Sequence, residues 1–139
     1  MTVDEVIRKQ VDAFNRHDAK GFASCYASSA DVQDPQYPEP LHGTDAVTKD
    51  LTDWLTAFPD IQGRLTRTVV NGETYAAEWS MSGTHKGPLT GPGGHIPATN
   101  RKVTLDAAIV GRIDAHGRIV EERRYYDVAG VLNQLGLMQ

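Results

Sequence analysis

The chain has 139 residues, of which 40% are hydrophobic and 23% charged, and its formal net charge is −4 at neutral pH. These values are typical of one compact domain over residues 1–139 and exclude a repeat array, a disordered chain and a second domain. The basic residues are scattered, so the charged surface of a nucleic-acid-binding protein is missing and we expect no nucleic acid partner.

The cysteine content and the N-terminus indicate where the protein resides. Cys25 is the single cysteine, which excludes an internal disulfide and fits a reducing compartment. The first residues lack the basic start and apolar run of a secretory signal, and no segment approaches ~18 consecutive apolar residues. We therefore expect a cytoplasmic protein without a membrane partner.

The first half of the sequence predicts three helices. Thr2 and Glu5 form a capping-box pattern before the first, Asp18 can cap the second, and Thr44 can cap the third, which Pro59 ends. The residues predicted on their buried faces are Val3, Val6, Ile7, Val11 and Phe14, then Phe22, Cys25 and Tyr26, then Val47, Leu51, Trp54, Leu55 and Phe58.

The second half of the sequence predicts strands, with a hairpin signal at Asn71-Gly72. The predicted strands cover 64–70, 73–85, 103–113 and 118–127. A short extended stretch is predicted at 31–34, a loop rich in glycine and proline at 86–97, and a short helix around Val131 that Gly136 ends.

Helices followed by hairpin-connected strands are typical of the α+β class, with the helices on one face of an antiparallel sheet. We predict a cone-shaped fold of three N-terminal helices packed on a curved, mainly antiparallel four-stranded sheet. The twist of long strands curls such a sheet and leaves a pocket beneath the helices. We expect any chemistry to occur in that pocket.

Asp34 is the first candidate catalytic residue. It follows the short extended stretch and precedes Pro35, where partial burial would favour its neutral form and suit it to act as a general base. The alternative role for this residue is to cap the turn before the proline.

The last strand carries a second group of charged and aromatic residues. Alternation places Glu122, Arg124 and Tyr126 on one face and Glu121, Arg123, Tyr125 and Asp127 on the other. We expect one of these two faces to be buried. The alternative role for most of these residues is to form cross-strand ion pairs on a solvated face of the sheet. The five histidines show no metal-ligand spacing, so no metal site is predicted, although His85 can face the pocket from the end of its strand.

Several motifs together resemble one family over nearly the whole chain. They are Phe14-Asn15-Arg16-His17-Asp18, Asp34-Pro35, Leu41-His42-Gly43, the helix with Trp54, Tyr125-Tyr126-Asp127 and Leu132-Asn133-Gln134-Leu135-Gly136. This combination resembles the SnoaL-like polyketide cyclases, within the superfamily named for nuclear transport factor 2. The resemblance implies an α+β cone with a deep pocket for an apolar small molecule, a homodimer packed sheet to sheet, and no metal or organic cofactor.

The resemblance also implies roles for particular positions. In the characterised cyclases the general acid/base is an aspartate just before the aromatic residue on the last strand, where this chain has Arg124, and the pocket histidine falls near Ile109. Epoxide hydrolases of the limonene type likewise place an acid at the position of Arg124. The segment around Asp34 is similar to ketosteroid isomerases, whose proton-shuttling aspartate occupies that position and whose oxyanion donors fall near Gln10 and Ile109.

These observations lead to one hypothesis and two alternatives. The hypothesis is an enzyme that catalyses proton transfer on an apolar carbonyl compound such as a polyketide, in a cyclisation, isomerisation or dehydration. Asp34 is its base, and Arg124, Tyr126 or Gln10 donates to the oxyanion. The alternatives are a non-catalytic ligand-binding or dimerisation domain, and an epoxide-hydrolase-like enzyme whose water Asp127 holds beside Arg124. The candidate substrate-binding residues are Tyr26, Trp54, Trp79, His85 and Tyr126.

Overall fold

The computed structural model describes residues 1–91 and 94–137, which form four helices, a six-stranded sheet and a separate two-stranded hairpin. In chain order the elements are α1 (Val3–Asn15), α2 (Ala19–Ala23), β1 (Tyr26–Gln33), β2 (Leu41–His42), α3 (Gly43–Ala57), β3 (Gln62–Asn71), β4 (Thr74–Thr84), β5 (Leu89–Gly91), β6 (Gly94–Ile96), β7 (Lys102–Ile113), β8 (Ile119–Tyr125) and α4 (Val128–Gln134). The α+β class is confirmed. The prediction of a four-stranded sheet was an undercount, because β1 is rich in serine and alanine and β2 has two residues. The fourth helix, α4, lies where the short helix around Val131 was predicted.

The helix starts differ in how well their capping residues predict them. The capping box of Thr2 and Glu5 is present at the start of α1, and Asp18 Oδ1 accepts the backbone N–H of Gly21 at the start of α2. The prediction that Thr44 caps the third helix is wrong, because the N-cap position lies two residues earlier, at His42, which makes no side-chain capping bond.

The prediction that Tyr26 lies on the second helix is also wrong. The helix α2 has five residues, and Tyr26 is the first residue of β1, where it pairs in parallel with Ile119 of β8. The Phe22 side chain is buried on α2. The spacing of buried apolar residues continues past the end of this helix, so that spacing does not show where the helix ends.

The sheet order β2-β1-β8-β7-β4-β3 places the last strand in the interior of the sheet. Strand β8 runs parallel to β1 and antiparallel to β7, and the other neighbouring strands are antiparallel. In this register Glu122 lies beside Val32 of β1, and Arg124 lies beside Ile109 of β7. Two charged residues of β8 are therefore brought under the helices instead of lying at a solvated edge.

The hydrophobic core lies between the helices and the concave face of the sheet. The alternation predicted in the second long strand is confirmed by the burial of Tyr75, Ala77 and Trp79. Within the predicted glycine- and proline-rich loop, β5 and β6 pair as a short hairpin, and Leu89 packs into the core. No helix in the described part of the chain is long and apolar enough to cross a membrane.

Candidate active site

The helices and the concave sheet face enclose a mostly apolar pocket with about 660 Å³ of empty space, part of it continuous with solvent, which we call the inner pocket. Its apolar lining includes Phe14, Phe22, Trp54, Ile61, Trp79 and Met81, and its polar lining consists of Asp50, Glu122, Arg124 and Tyr126. A few polar groups converging in an apolar cavity are typical of small-molecule sites.

Arg124 lies at the centre of the polar end, bound to three buried carboxylates. Its Nη1 is 2.7 Å from Asp50 Oδ2 and 3.1 Å from Asp34 Oδ2, and its Nε is 2.9 Å from Glu122 Oε2. The three carboxylate side chains are 4%, 2% and 0% exposed, respectively. We call this group the Arg124 cluster. Its residues come from the end of β1, from α3 and from β8, so the tertiary fold assembles it.

Each carboxylate of the Arg124 cluster also accepts a hydrogen bond from one tyrosine. The bonds are Tyr126 to Asp34 Oδ1 at 2.5 Å, Tyr37 to Asp50 Oδ1 at 2.7 Å and Tyr26 to Glu122 Oε2 at 2.7 Å. Burial, and then the adjacent carboxylate, raises the pKa of each of these phenols well above its usual value. The three phenols are therefore neutral hydrogen-bond donors near neutral pH.

The guanidinium of Arg124 keeps its charge in this setting. Burial by itself would lower the pKa of Arg124, but the surrounding negative charges, that of Glu122 first, raise it well above its usual value. A guanidinium has five N–H groups, and Nε and Nη1 use three of them on the carboxylates. Nη2 makes one long contact of 3.5 Å, to Tyr26 Oη, so one N–H group has no partner among the described residues.

A second polar layer lies behind Glu122, away from the pocket. Gln10 donates through Nε2 to Tyr26 Oη at 2.8 Å and to Glu122 Oε1 at 3.3 Å. Gln10, Tyr26 and Glu122 are all buried, so these bonds hold the Glu122 carboxylate in place from behind.

The structure brings together several of the residues proposed from the sequence. Arg124, Tyr126, Trp54 and Trp79 line the inner pocket. Asp34 contacts Arg124 and Tyr126 but lies behind them instead of lining the pocket. From the sequence we expected burial to be the main influence on Asp34. In the structure, however, the Arg124 guanidinium lies 3.1 Å away and places a positive charge beside the buried carboxylate.

Three other proposed residues lie apart from the pocket lining. Tyr26 is in the layer behind Glu122, as described above. His85 is fully buried beside Phe58, with ring centroids 5.3 Å apart, and its Nδ1 accepts the backbone N–H of Thr99. Asp127 is exposed, and its Oδ1 accepts the backbone N–H of Gly130 at the start of α4.

Two pocket-lining carboxylates, Asp50 and Glu122, were not proposed as site residues from the sequence. A signal existed for each. Asp50 follows Val47 by three residues and precedes Trp54 by four, so it lies on the apolar stripe of α3. Glu122 alternates with Arg124 on one face of the last strand. Among the described residues, no group of His, Cys, Asp or Glu is arranged to hold a metal ion.

The sequence of the chain also matches a known protein family. The family model for SnoaL-like polyketide cyclases matches residues 4–135. The chain belongs to this family. The resemblance carried by the sequence motifs is thereby confirmed, and this SnoaL-like chain has a guanidinium bound to three carboxylates at the polar end of its pocket. No curated protein sequence matches the chain.

Solved structures share the fold along nearly the whole chain. IdmH from Streptomyces antibioticus, described as a candidate polyketide cyclase, is 24% identical with a TM-score of 0.77, and the match covers 98% of this chain and 99% of that one. A Catenulispora acidiphila protein with a ketosteroid isomerase-like fold, in complex with trimethylamine, is 17% identical with a TM-score of 0.79, covering 99% and 96%. The epoxide hydrolase/cyclase-like enzyme SalBIII, linked to pyran ring formation in the polyether salinomycin, is 15% identical with a TM-score of 0.73, covering 92% of each chain.

Proposed function

We propose that this SnoaL-like protein catalyses proton transfer, without a metal or organic cofactor, on an apolar carbonyl-bearing small molecule such as a polyketide. The reaction class is a cyclisation, isomerisation or dehydration. The observation that carries the proposal is the Arg124 cluster at the polar end of an otherwise apolar pocket. An apolar body fits the walls, and a carbonyl oxygen fits the polar end.

Asp50, Tyr126 and Arg124 are the proposed catalytic residues. Asp50 lines the pocket and takes the proton next to the carbonyl. The free N–H of Arg124 Nη2 donates to the oxyanion that develops. The hydroxyl of Tyr126, which bonds to Asp34 in the free protein, turns to the oxyanion and delivers its proton there. In a site that excludes water, each well-placed donor of this kind stabilises the transition state by about 3 kcal/mol.

Asp34, the base expected from the sequence, receives a different role in this proposal. Its two carboxylate oxygens accept from Tyr126, from Arg124 and from the backbone N–H of Gln36. These bonds orient the two oxyanion donors, so we assign Asp34 as a positioning residue. Glu122 acts on Arg124 in the same way, through its bond to Nε.

Exchange of a carbon-bound proton tests the proposed function without the native substrate. The probe is 1-tetralone, a neutral bicyclic ketone, incubated in D₂O with protein that has been dialysed against a chelator. NMR should show saturable loss of the proton signal next to the carbonyl, at a rate unaffected by the chelator. Saturable binding of 1-tetralone without exchange would support the non-catalytic binding domain and contradict the proposal.

A hydrolase acting on epoxides is the second candidate. It is supported by the bridge in which one atom, Arg124 Nη1, contacts both Asp34 and Asp50, because such a pair can divide the roles of acid and water-activating base. The fold shared with SalBIII, an epoxide hydrolase/cyclase-like enzyme, supports the same candidate. Asp127, expected to hold the water, caps α4, so in this version Asp50 holds it. Limonene oxide incubated in ¹⁸O-labelled water should yield a labelled diol if the hydrolase is correct, and no product if the proton-transfer proposal is.

We also propose that the protein is a homodimer that packs through the outer face of its sheet. Val69, Ala76 and Val110 lie side by side in neighbouring strands on that face, and the side chains of Val69 and Val110 are exposed. A contiguous exposed apolar patch favours burial against a partner. Sedimentation analysis should give a dimer for the native chain and a monomer for Val110→Lys. A native monomer would contradict this part.

A further inference from the structure

A second cavity lies on the other side of the Arg124 cluster, between the segment that follows β1 and the outer face of β8. It has about 680 Å³ of empty space, part of it continuous with solvent, and we call it the outer cleft. Asp34, Tyr37, Arg123 and Tyr125 line it. Arg124 lines both the outer cleft and the inner pocket, so this residue forms part of the wall between them.

Two hydrogen-bonded carboxylate–tyrosine pairs cross this wall. In one pair the tyrosine lines the inner pocket, and in the other pair the carboxylate does. In one, Tyr126 lines the inner pocket and its hydroxyl donates to Asp34, which lines the outer cleft. In the other, Asp50 lines the inner pocket and accepts from Tyr37, which lines the outer cleft. Each pair therefore joins a residue that lines the inner pocket to a residue that lines the outer cleft, through a single hydrogen bond.

We propose that the outer cleft is the port through which the active site exchanges protons with water, along these two pairs. The inference rests on the proposed function, in which Asp50 gains a proton and Tyr126 delivers one. Asp50 then passes its proton to Tyr37 Oη while the original hydroxyl proton of Tyr37 moves to water in the cleft. Asp34 takes a proton from cleft water and gives it to Tyr126. One proton leaves and one enters, so charge and atoms balance.

The inner pocket is poorly suited to this exchange while a substrate is bound. Its lining is mostly apolar, and an apolar substrate would fill it and displace water from Asp50 and Tyr126. The outer cleft stays free, because Arg124 and its carboxylates separate it from the pocket. Proton exchange through the outer cleft therefore returns Asp50 and Tyr126 to their starting protonation states without opening the inner pocket.

Hydrogen exchange at the tyrosine hydroxyls tests the port without any turnover. The chain is labelled with ¹³C at the tyrosine ζ carbons, and the exchange of each hydroxyl between H₂O and D₂O is followed by NMR. In Asp34→Asn, exchange of the Tyr126 hydroxyl should slow by roughly tenfold or more, since a positioned base speeds proton transfer by about 10²–10⁴-fold. Asp31→Asn, an exposed carboxylate on the same strand, is the matched control and should leave Tyr126 unchanged.

A second variant keeps the test decisive if Asp34→Asn folds poorly. Gln33 is exposed and lines the outer cleft, so Gln33→Trp narrows the cleft while leaving both pairs intact. It should also slow exchange at Tyr126 and Tyr37, whereas Ser29→Trp on the same strand should not. Unchanged Tyr126 exchange in both Asp34→Asn and Gln33→Trp would overturn the port. Because the readout is not turnover, failure of the proposed reaction would leave this result standing, and the reverse also holds.

Discussion

Nη1 of Arg124 lies 2.7 Å from Oδ2 of Asp50, and this contact joins the last strand of the sheet to helix α3 across the polar end of the pocket. The same nitrogen also binds Asp34, so one guanidinium faces three buried carboxylates with Glu122 included. Burying charges costs free energy that is recovered only where partners and hydrogen bonds are complete. The three tyrosines complete those bonds, which explains why the cluster is stable beneath an apolar pocket.

Replacing Arg124 by methionine tests the importance of that charge for folding. The variant leaves three buried carboxylates without a positive partner, and we expect the free energy of unfolding to fall by about 3–5 kcal/mol. Urea denaturation measures this value. Arg123→Met, at the exposed neighbouring position, should change it by less than about 0.5 kcal/mol. Similar losses in both variants would mean that the cluster contributes nothing specific.

Tyr126→Phe separates catalysis from stability. It removes the hydroxyl that lines the pocket and bonds to Asp34, and should lower the catalysed exchange of 1-tetralone by about 10²-fold. The lost hydrogen bond should cost about 1 kcal/mol of stability. Tyr125→Phe, the exposed neighbour, serves as the control. Equal rates for the two variants would exclude Tyr126 as an oxyanion donor.

Gly111→Ala probes the packing behind the cluster. A Cβ at this position would lie 2.5 Å from the hydroxyl of Tyr75, which is itself buried, so the ring cannot swing away freely. We expect a loss of about 1–3 kcal/mol in the free energy of unfolding. Asp106→Ala, at an exposed position on the same strand, should have little effect in the same urea titration. A native-like Gly111→Ala variant would show that Tyr75 can shift.

The stability of the protein should also depend on the protonation of His85. Burial lowers the pKa of this imidazole below its usual 6.5, so the unfolded chain takes up the proton at higher pH than the folded chain does. The contribution is complete above about pH 6.5 and is lost as the pH falls below that value. Between about pH 7.5 and 5.5, the urea midpoint of the native chain should therefore fall more than that of His85→Phe. His116→Gln, at an exposed turn, should behave like the native chain.

Features that depend on residues close together in the sequence were predicted better than features that depend on residues far apart in it. Capping by Thr2 and Asp18 depends on neighbouring residues and was predicted correctly. The hairpin signal at Asn71-Gly72 is also local, and a hairpin is present there, but Asn71 ends β3 and the two turn residues are Gly72 and Glu73. The parallel pairing of β1 with β8 depends on residues about 90 positions apart, and no local pattern announces it. The start of β1 at Tyr26 was missed for that reason.

The candidate site was predicted in part for the same reason. The alternation that groups Glu122, Arg124 and Tyr126 on one face is local, and that grouping is present in the structure. The contact of Arg124 with Asp50 requires the packing of α3 over the sheet. Nothing in the sequence ties those two positions together, so the carboxylate that lines the pocket could be identified only from the fold.

The most direct test of the account is the rate at which the protein exchanges the proton next to the carbonyl of 1-tetralone when Asp50 is replaced by asparagine. Asn keeps the shape and an acceptor for Tyr37 but cannot take a proton. Asp53→Asn, one turn along α3 and paired with Lys49, is the matched control. We expect Asp50→Asn to lower the catalysed rate by about 10²–10⁴-fold and Asp53→Asn to leave it unchanged. A folded Asp50→Asn variant with the full native rate would contradict this expectation.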